Sequence, residues 1–365
     1  MTRAHNFCAG PSTLPTSVLA ELADEMVEHG DSGMSVIEMS HRSGEYEAIH
    51  FDTIERLRRL YTVPDEFDVL LLQGGATLLF AMIPMNLAPA RADGGGRRVG
   101  YVLSGSWAKK AFGDAAKVSN AYAAWTEEGP AFTRMPGPAD VDVHEGAAYL
   151  HVTSNETIEG TRMPGFDGFG ARLVADMSSD YLTRPVDWSL FDLVYGGAQK
   201  NLGPAGLGVV FVRSELARTS PDTLPSYLRF DNHAKADSLF NTPPVFSVWA
   251  TGKMLAWMEA NGGLAAMEKR AAERSRMVYD EIDGSGGFYR NPVEPAYRSH
   301  TNVVFRLPSP ELEADFLVLA EEQRLLNLKG HRSVGGIRAS IYNGLPTESV
   351  EALVSFMHSF AASRG

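Results

Sequence analysis

Val194-Tyr-Gly-Gly-Ala-Gln-Lys200-Asn-Leu-Gly-Pro-Ala-Gly-Leu-Gly208 carries a lysine through a turn too rich in Gly and Pro for regular helix or sheet. An apolar run, Phe191 to Tyr195, enters the turn, and a second, Val209-Val-Phe-Val212, leaves it. Runs that are continuously apolar, not alternating, fit strands covered on both faces, as in the sheet of an α/β protein. A lysine set between two such strands is partly desolvated, which lowers its pKa and favours Schiff-base chemistry. Read alone, the segment is explained more simply by a lysine that caps a turn. The rest of the chain decides.

Similar runs recur upstream: Val69-Leu-Leu-Leu72, Val99-Gly-Tyr-Val-Leu103, Ala148-Tyr-Leu-His-Val152 and Leu173-Val-Ala175. Helical spacing separates them and predicts helices over 17–29, 46–61, 77–86 and 243–261. Beyond Gly262-Gly263 the chain changes character. A helix over 264–282 ends at Gly284-Ser-Gly-Gly287, followed by a strand (302–306), a helix (310–323), a strand (337–341) and a closing helix (347–362). This reads as a smaller α+β unit with its own core. Asp93-Gly-Gly-Gly96 reads as a surface loop.

A chain of 365 residues suggests about two domains. Its 44% hydrophobic and 21% charged content is that of an ordinary soluble globular protein. A net charge of −12 argues against a nucleic-acid partner, which needs a basic face. Cys8 is the sole cysteine, which excludes an intrachain disulfide and fits a reducing cytosol. Met1-Thr-Arg-Ala-His-Asn-Phe lacks a signal-peptide core, and no apolar run reaches the ~18 residues of a membrane span. A cytoplasmic location away from membranes is expected. The histidines are scattered without metal-ligand spacing, so no metal site is expected.

Asp176 follows the run Leu173-Val-Ala175, at the sheet edge where α/β proteins place ligands. There it would keep a bound pyridine nitrogen protonated, or else cap the turn Met177-Ser-Ser179. Gln73-Gly-Gly-Ala-Thr77 opens a helix with small residues, so its backbone N–H groups suit a phosphate. Neither a nucleotide P-loop nor a dinucleotide fingerprint is present there. Trp107 in Gly105-Ser-Trp107 is placed to stack on an aromatic cofactor or to fill core. His151-Val-Thr-Ser-Asn-Glu-Thr157 offers hydroxyl and amide groups to a phenolic oxygen. Ser40-His41-Arg42-Ser43, Gly330-His331-Arg332-Ser333 and Arg338 together suggest a substrate with two anionic groups, since Arg suits bidentate recognition of carboxylate and phosphate.

In order along the chain, these motifs resemble the phosphoserine aminotransferase family, fold-type-I enzymes of the class-V aminotransferase group that use pyridoxal phosphate. Asn6-Phe-Cys-Ala-Gly-Pro11, Met39-Ser-His-Arg-Ser43, Leu72-Gln-Gly-Gly75, Pro84-Met-Asn86 and Gly105-Ser-Trp107 carry the likeness. So do Asn155-Glu-Thr157, Tyr195-Gly-Gly-Ala-Gln-Lys-Asn201, Asn241-Thr-Pro-Pro244 and Arg338-Ala-Ser-Ile-Tyr-Asn343.

The resemblance implies a mainly parallel seven-stranded sheet in a large domain (16–262). A smaller α+β domain would combine 1–15 with 263–365. It further implies that Lys200 forms the Schiff base, that Asp176 pairs with the pyridine nitrogen, that Trp107 stacks on the ring and that Thr157 meets its phenolic oxygen. Ala76, Thr77 and Gln199 would hold the cofactor phosphate, joined by Asn241 and Thr242 from a second subunit of a homodimer. Arg338 would clamp the substrate α-carboxylate, and His41 and Arg42, with His331 and Arg332 from the partner, would take the distal phosphate. The implied reaction is ping-pong transfer of the amino group of L-glutamate to 3-phosphohydroxypyruvate, giving phosphoserine and 2-oxoglutarate in serine biosynthesis, with a possible use in pyridoxine biosynthesis. Thr77 departs from members that carry arginine there. Two alternatives stand beside this reading. One is another class-V enzyme, acting on a different phosphorylated 2-oxo acid or as a lyase, although Cys8 beside Gly10-Pro11 is poorly placed as a mobile thiol. The other is a non-catalytic phosphoanion-binding module.

Overall fold

The computed structural model describes residues 3–89, 96–128 and 131–365. Most of the expected loop Asp93 to Gly96 lies outside them. A short strand β1 (His5–Asn6) leads into helix α1 (Thr16–Asp24), and α2 (Gly44–Tyr61) follows under an N-cap from Ser43. Next come β2 (Phe67–Gln73), α3 (Gly75–Leu87), β3 (Arg98–Leu103), α4 (Ser106–Val118) and β4 (Asn120–Thr126). The strand β5 (Tyr149–Thr153) runs into a small hairpin, β6 (Asn155–Glu156) and β7 (Thr161–Arg162). Then follow β8 (Leu173–Asp176), β9 (Phe191–Gly197), β10 (Leu207–Arg213), α5 (Ser214–Ala217), α6 (Phe230–Lys235) and α7 (Val245–Ala260).

Seven of these strands form one sheet in the order β2-β10-β9-β8-β5-β3-β4. β10 runs antiparallel to both neighbours, and the other pairings are parallel. The expected mainly parallel seven-stranded sheet is therefore present. Its continuously apolar strands serve two cores: Val69 and Leu71 of β2 enter one cluster, Leu70 and Leu72 the other. A strand buried on both faces has no polar face to alternate with.

The chain then enters α8 (Gly263–Gly284), β11 (Asn302–Phe305), α9 (Pro310–Glu322), β12 (Leu325–Leu326), β13 (Ile337–Ser340) and α10 (Thr347–Arg364). β11 and β13 pair antiparallel, and a third core gathers Val303, Phe316, Leu353 and Met357. Phe7 is buried in that same core, and β1 pairs with β12, so the N-terminal segment packs on the C-terminal part.

Three details differ from the sequence reading. The first helix ends at Asp24, not 29, and Val27 beyond it is 84% exposed. With no apolar partner there, burial does not extend the helix, and a short helix depends on packing. The edge strand β4 was not foreseen. Its sequence, Asn-Ala-Tyr-Ala-Ala-Trp-Thr, is alanine-rich, and alanine is depleted in strands. The helix α4 after Gly105 was likewise read only as the turn that carries Trp107.

Candidate functional site

The turn from Ala198 to Gly206 joins β9 to its antiparallel neighbour β10 at the edge where the parallel strands end. That edge also carries Asp176, the last residue of β8, the turn into α3 after β2, and the turn into α4 after β3. Residues far apart in sequence thus meet along one rim, the usual ligand position of such sheets.

Lys200 is 8% exposed. Its Nζ donates to the Thr157 hydroxyl and lies 5.3 Å from the centroid of the Trp107 ring. Burial pushes its pKa down to about 8, the nearby Asp176 and Glu156 carboxylates pull it back up, and Arg338 opposes them. The N-terminal segment braces the lysine: the Ser12 hydroxyl donates to its carbonyl, and a Cβ on Gly10 would stand 3.6 Å from its Cγ. Neither Gly10 nor Ser12 was foreseen. Their only signal was the run ending at Pro11, whose packing on a lysine so distant in sequence is invisible before folding.

Asp176 is buried, and Oδ1 accepts from the Ser178 amide at 2.9 Å and the Ser178 hydroxyl at 2.6 Å. It therefore does cap its turn, and it also faces the site. Burial raises its pKa, while Lys200 and the Ser178 donors hold it down. The Gly197 amide donates to the Ser178 hydroxyl at 3.0 Å, which ties Asp176 to the strand that delivers Lys200.

The first turn of α3 contains Gly75, Ala76 and Thr77, behind Gly74 at φ 89°, a left-handed conformation that favours glycine. No side chain caps this end. Gln199 folds over Gly197 toward it: Oε1 stands 3.9 Å from the place a Cβ on Gly75 would take, and it is buried without a partner. Half-buried Asn241 and exposed Thr242 lie nearby, with the Thr242 carbonyl accepting from Gln73 at 2.7 Å. The Asn241 amide donates to the Thr242 carbonyl at 3.2 Å, and the Thr242 side chain is open to solvent.

Arg338, on β13, reaches across from the small core. Its Nη1 donates to the Thr157 carbonyl at 3.4 Å, so Thr157 links the arginine to Lys200. Its Nε is buried without a partner. Burial, with the charges of Arg338, Lys110 and Arg332 of the same chain, holds the His331 pKa down. The resemblance implied His331 and Arg332 from a partner; the charges that act on His331 here are those of its own chain. Arg42 is exposed and makes no side-chain contact with the Lys200 group among the described residues, and the Nε2 of His41 is buried without a partner. Among the remaining polar groups, Asn155 is spent on Ser179 and Asn302, which leaves Thr157 as the hydroxyl at the amine.

The rim fits pyridoxal phosphate. An uncapped helix end suits the phosphate, a buried carboxylate suits a protonated ring nitrogen, and the unpartnered Trp107 Nε1 belongs to an indole beside a buried amine. Among the described residues no cluster of His, Cys, Asp and Glu offers a metal site, and no helix is long and apolar enough to cross a membrane.

Comparison with known proteins agrees with this chemistry. A family model described as aminotransferase class-V matches residues 4–353. The phosphoserine aminotransferase of Geobacillus kaustophilus is 48% identical over 99% of both chains. The solved phosphoserine aminotransferase of Bacillus circulans subsp. alkalophilus superposes with a TM-score of 0.95 at 46% identity, covering 100% of this chain and 99% of that one. A pyridoxal-phosphate-bound phosphoserine aminotransferase from Trichomonas vaginalis has a TM-score of 0.92 at 35% identity, covering 98% of this chain and 100% of that one.

Proposed function

The chain belongs to the class-V aminotransferase family, and from that premise we propose that it transfers the amino group of L-glutamate to 3-phosphohydroxypyruvate, forming O-phospho-L-serine and 2-oxoglutarate. One observation carries the reading: a buried lysine amine and a partly buried arginine meet at Thr157, beside a buried carboxylate and an uncapped helix end. Pyridoxal phosphate, when bound, supplies an aldehyde that condenses with amines and a ring that takes up the electron pair left by a lost proton.

The protein's own groups do the rest. Ala76, Thr77 and Gln199 hold the cofactor phosphate, Trp107 covers the ring, and Thr157 orients the phenolic side. Asp176 supplies the counter-charge of the ring nitrogen, with Ser178 fixing its carboxylate. Lys200 Nζ, pushed down to about 8, removes the Cα proton of the amino donor and later delivers one to Cα of the keto acceptor. Arg338 binds the α-carboxylate that both substrates share.

The distal group is a carboxylate in glutamate and a phosphate in the acceptor, and a His/Arg cluster suits either. His331 and Arg332 supply it from the same chain as Arg338. His41 and Arg42 complete it from the partner of a homodimer, as Asn241 and Thr242 do for the cofactor phosphate. The same contacts suit a phosphorylated 2-oxo acid of pyridoxine biosynthesis. We assign 16–262 to the large cofactor-binding domain, 1–15 with 263–365 to the small one, and the enzyme to the cytoplasm.

The test is product formation. Purified protein given glutamate and 3-phosphohydroxypyruvate should yield phosphoserine and 2-oxoglutarate in equal amounts, and none in Lys200→Ala. Mixing Arg42→Ala with Lys200→Ala protein should restore activity through hybrid dimers that hold one intact site. Mixtures no more active than their parents would remove the shared-site assignment.

A further inference from the structure

Two buried carboxyl groups meet at the start of α4, and the reaction described above uses neither. Glu156 and Glu159 flank Thr157 on the hairpin of β6 and β7, and both reach the end of the helix that carries Trp107. Glu156 is fully committed: Oε1 accepts from the Ala108 amide at 3.0 Å and the Ser104 hydroxyl at 3.2 Å, and Oε2 from the Trp107 amide at 3.1 Å. Glu159 is half committed. Its Oε1 accepts from the Ser106 amide at 2.9 Å and the Ser106 hydroxyl at 2.6 Å, while Oε2 is buried without any partner.

The two groups are also close. A Cβ on Gly105 would lie 2.5 Å from Cδ of Glu156 and 2.7 Å from Oε2 of Glu159, so only glycine leaves room for both. One helix end offers roughly half a unit of positive charge, too little for two buried carboxylates. Two carboxyls sharing such a site do not both ionise. The other charges facing the pair are Lys109 and Arg338 near Glu159, and Asp176 and Lys200 near Glu156. Protonating Glu156 would set an O–H against one of its N–H or O–H donors. Protonating Glu159 at Oε2 breaks nothing.

We propose that Glu159 is a neutral carboxylic acid beside an ionised Glu156, and that this acid–carboxylate pair is a positioning clamp that fixes the first turn of α4, and with it Trp107, opposite Lys200. Burial and the neighbouring Glu159 push the pKa of Glu156 up to about 8, and burial raises that of Glu159, so the pair keeps one proton at neutral pH. The larger rise falls on Glu156, but the donors on both its oxygens place the proton on Glu159. The hairpin that orients Thr157 at the amine thereby also orients the indole. The clamp's role toward the ring rests on the cofactor reading above, but its protonation state does not.

Infrared difference spectroscopy at pH 7, on protein with and without pyridoxal phosphate, separates the two. Subtracting the Glu159→Gln spectrum from wild type should leave the carbonyl stretch of a protonated carboxylic acid. A carboxylate stretch in its place overturns the proposal, whatever the cofactor does. Glutamine keeps the Oε1 acceptor and mimics the neutral acid, whereas alanine removes the cap. Cofactor affinity and the circular dichroism of the bound cofactor should therefore stay near wild type in Glu159→Gln, and affinity should fall about fivefold or more in Glu159→Ala. Equal losses in both variants would also overturn it. Absence of cofactor binding in wild type with the acid band intact would count against the cofactor reading alone.

Discussion

The pKa of Lys200 sets how fast the protein captures its cofactor; burial lowers that pKa and Asp176 opposes the shift. A lysine in water titrates near 10.4, so at pH 7 fewer than about one in a thousand carries the free electron pair. Pushed down to about 8, Lys200 is about one-tenth neutral at pH 7, roughly a hundredfold gain or more in reactive amine. The rate at which cofactor-free protein takes up pyridoxal phosphate, followed by stopped-flow absorbance, should rise about tenfold per pH unit below 8 and level off above it. Asp176 and Glu156 pull the pKa up against burial. Replacing Asp176 by Asn deletes the larger of these pulls, so the levelling should begin at lower pH in D176N. Asparagine also loses the charge that holds the ring nitrogen, so occupancy at equilibrium should fall. The midpoint of the pH profile is therefore the readout, not the amplitude. A rate that climbs without levelling to pH 10, or a D176N midpoint above that of wild type, would refute the electrostatic account of this lysine.

Other consequences are separable. Ser178→Ala removes a 2.6 Å donor to the Asp176 carboxylate and should weaken cofactor affinity about tenfold or more, measured by fluorescence titration, since a hydrogen bond to a charged group contributes about 1.5–3 kcal/mol. Arg338→Ala should raise KM for glutamate and phosphohydroxypyruvate alike, about tenfold or more by the same magnitude, whereas Arg42→Ala should weaken the phosphorylated substrate far more than glutamate. His151 is buried between Tyr101, stacked at 4.6 Å, and the Tyr195 hydroxyl at 2.9 Å, and burial pushes its pKa down to about 3. The unfolded chain binds that proton near pH 6.5, so stability is full above 6.5 and is lost as pH falls toward 3. At pH 5 the loss is about 2 kcal/mol, which urea unfolding should record in wild type but not in His151→Gln.

The large sheet was legible because strands such as Val69 to Leu72 are apolar on both faces, a pattern only a covered sheet demands. Strand direction was not: the apolar run Val209 to Val212 reads the same forwards and backwards, and its reversal beside β9 follows from a short turn. Lys200, Asp176 and Trp107 could be picked out because each sits just past such a run. The partners that tune them could not. Ser178 looks like any turn serine, and Glu156 and Glu159 show their purpose only when the amides of Ser106, Trp107 and Ala108 are in place. The electrostatic link of His331 to Arg338 was equally hidden, since it depends on how β13 and the 330–336 loop fold back together.

The central claim is that Lys200 serves a transamination between glutamate and a phosphorylated keto acid. Its most direct measurement is the pair of half-reactions, each followed by the visible absorbance of the cofactor-loaded protein. Glutamate alone should abolish the yellow band with release of one 2-oxoglutarate per site, and 3-phosphohydroxypyruvate should then restore it with release of phosphoserine, while Lys200→Ala turns over neither. A band that glutamate leaves unchanged, or that 3-phosphohydroxypyruvate fails to restore, would contradict the account.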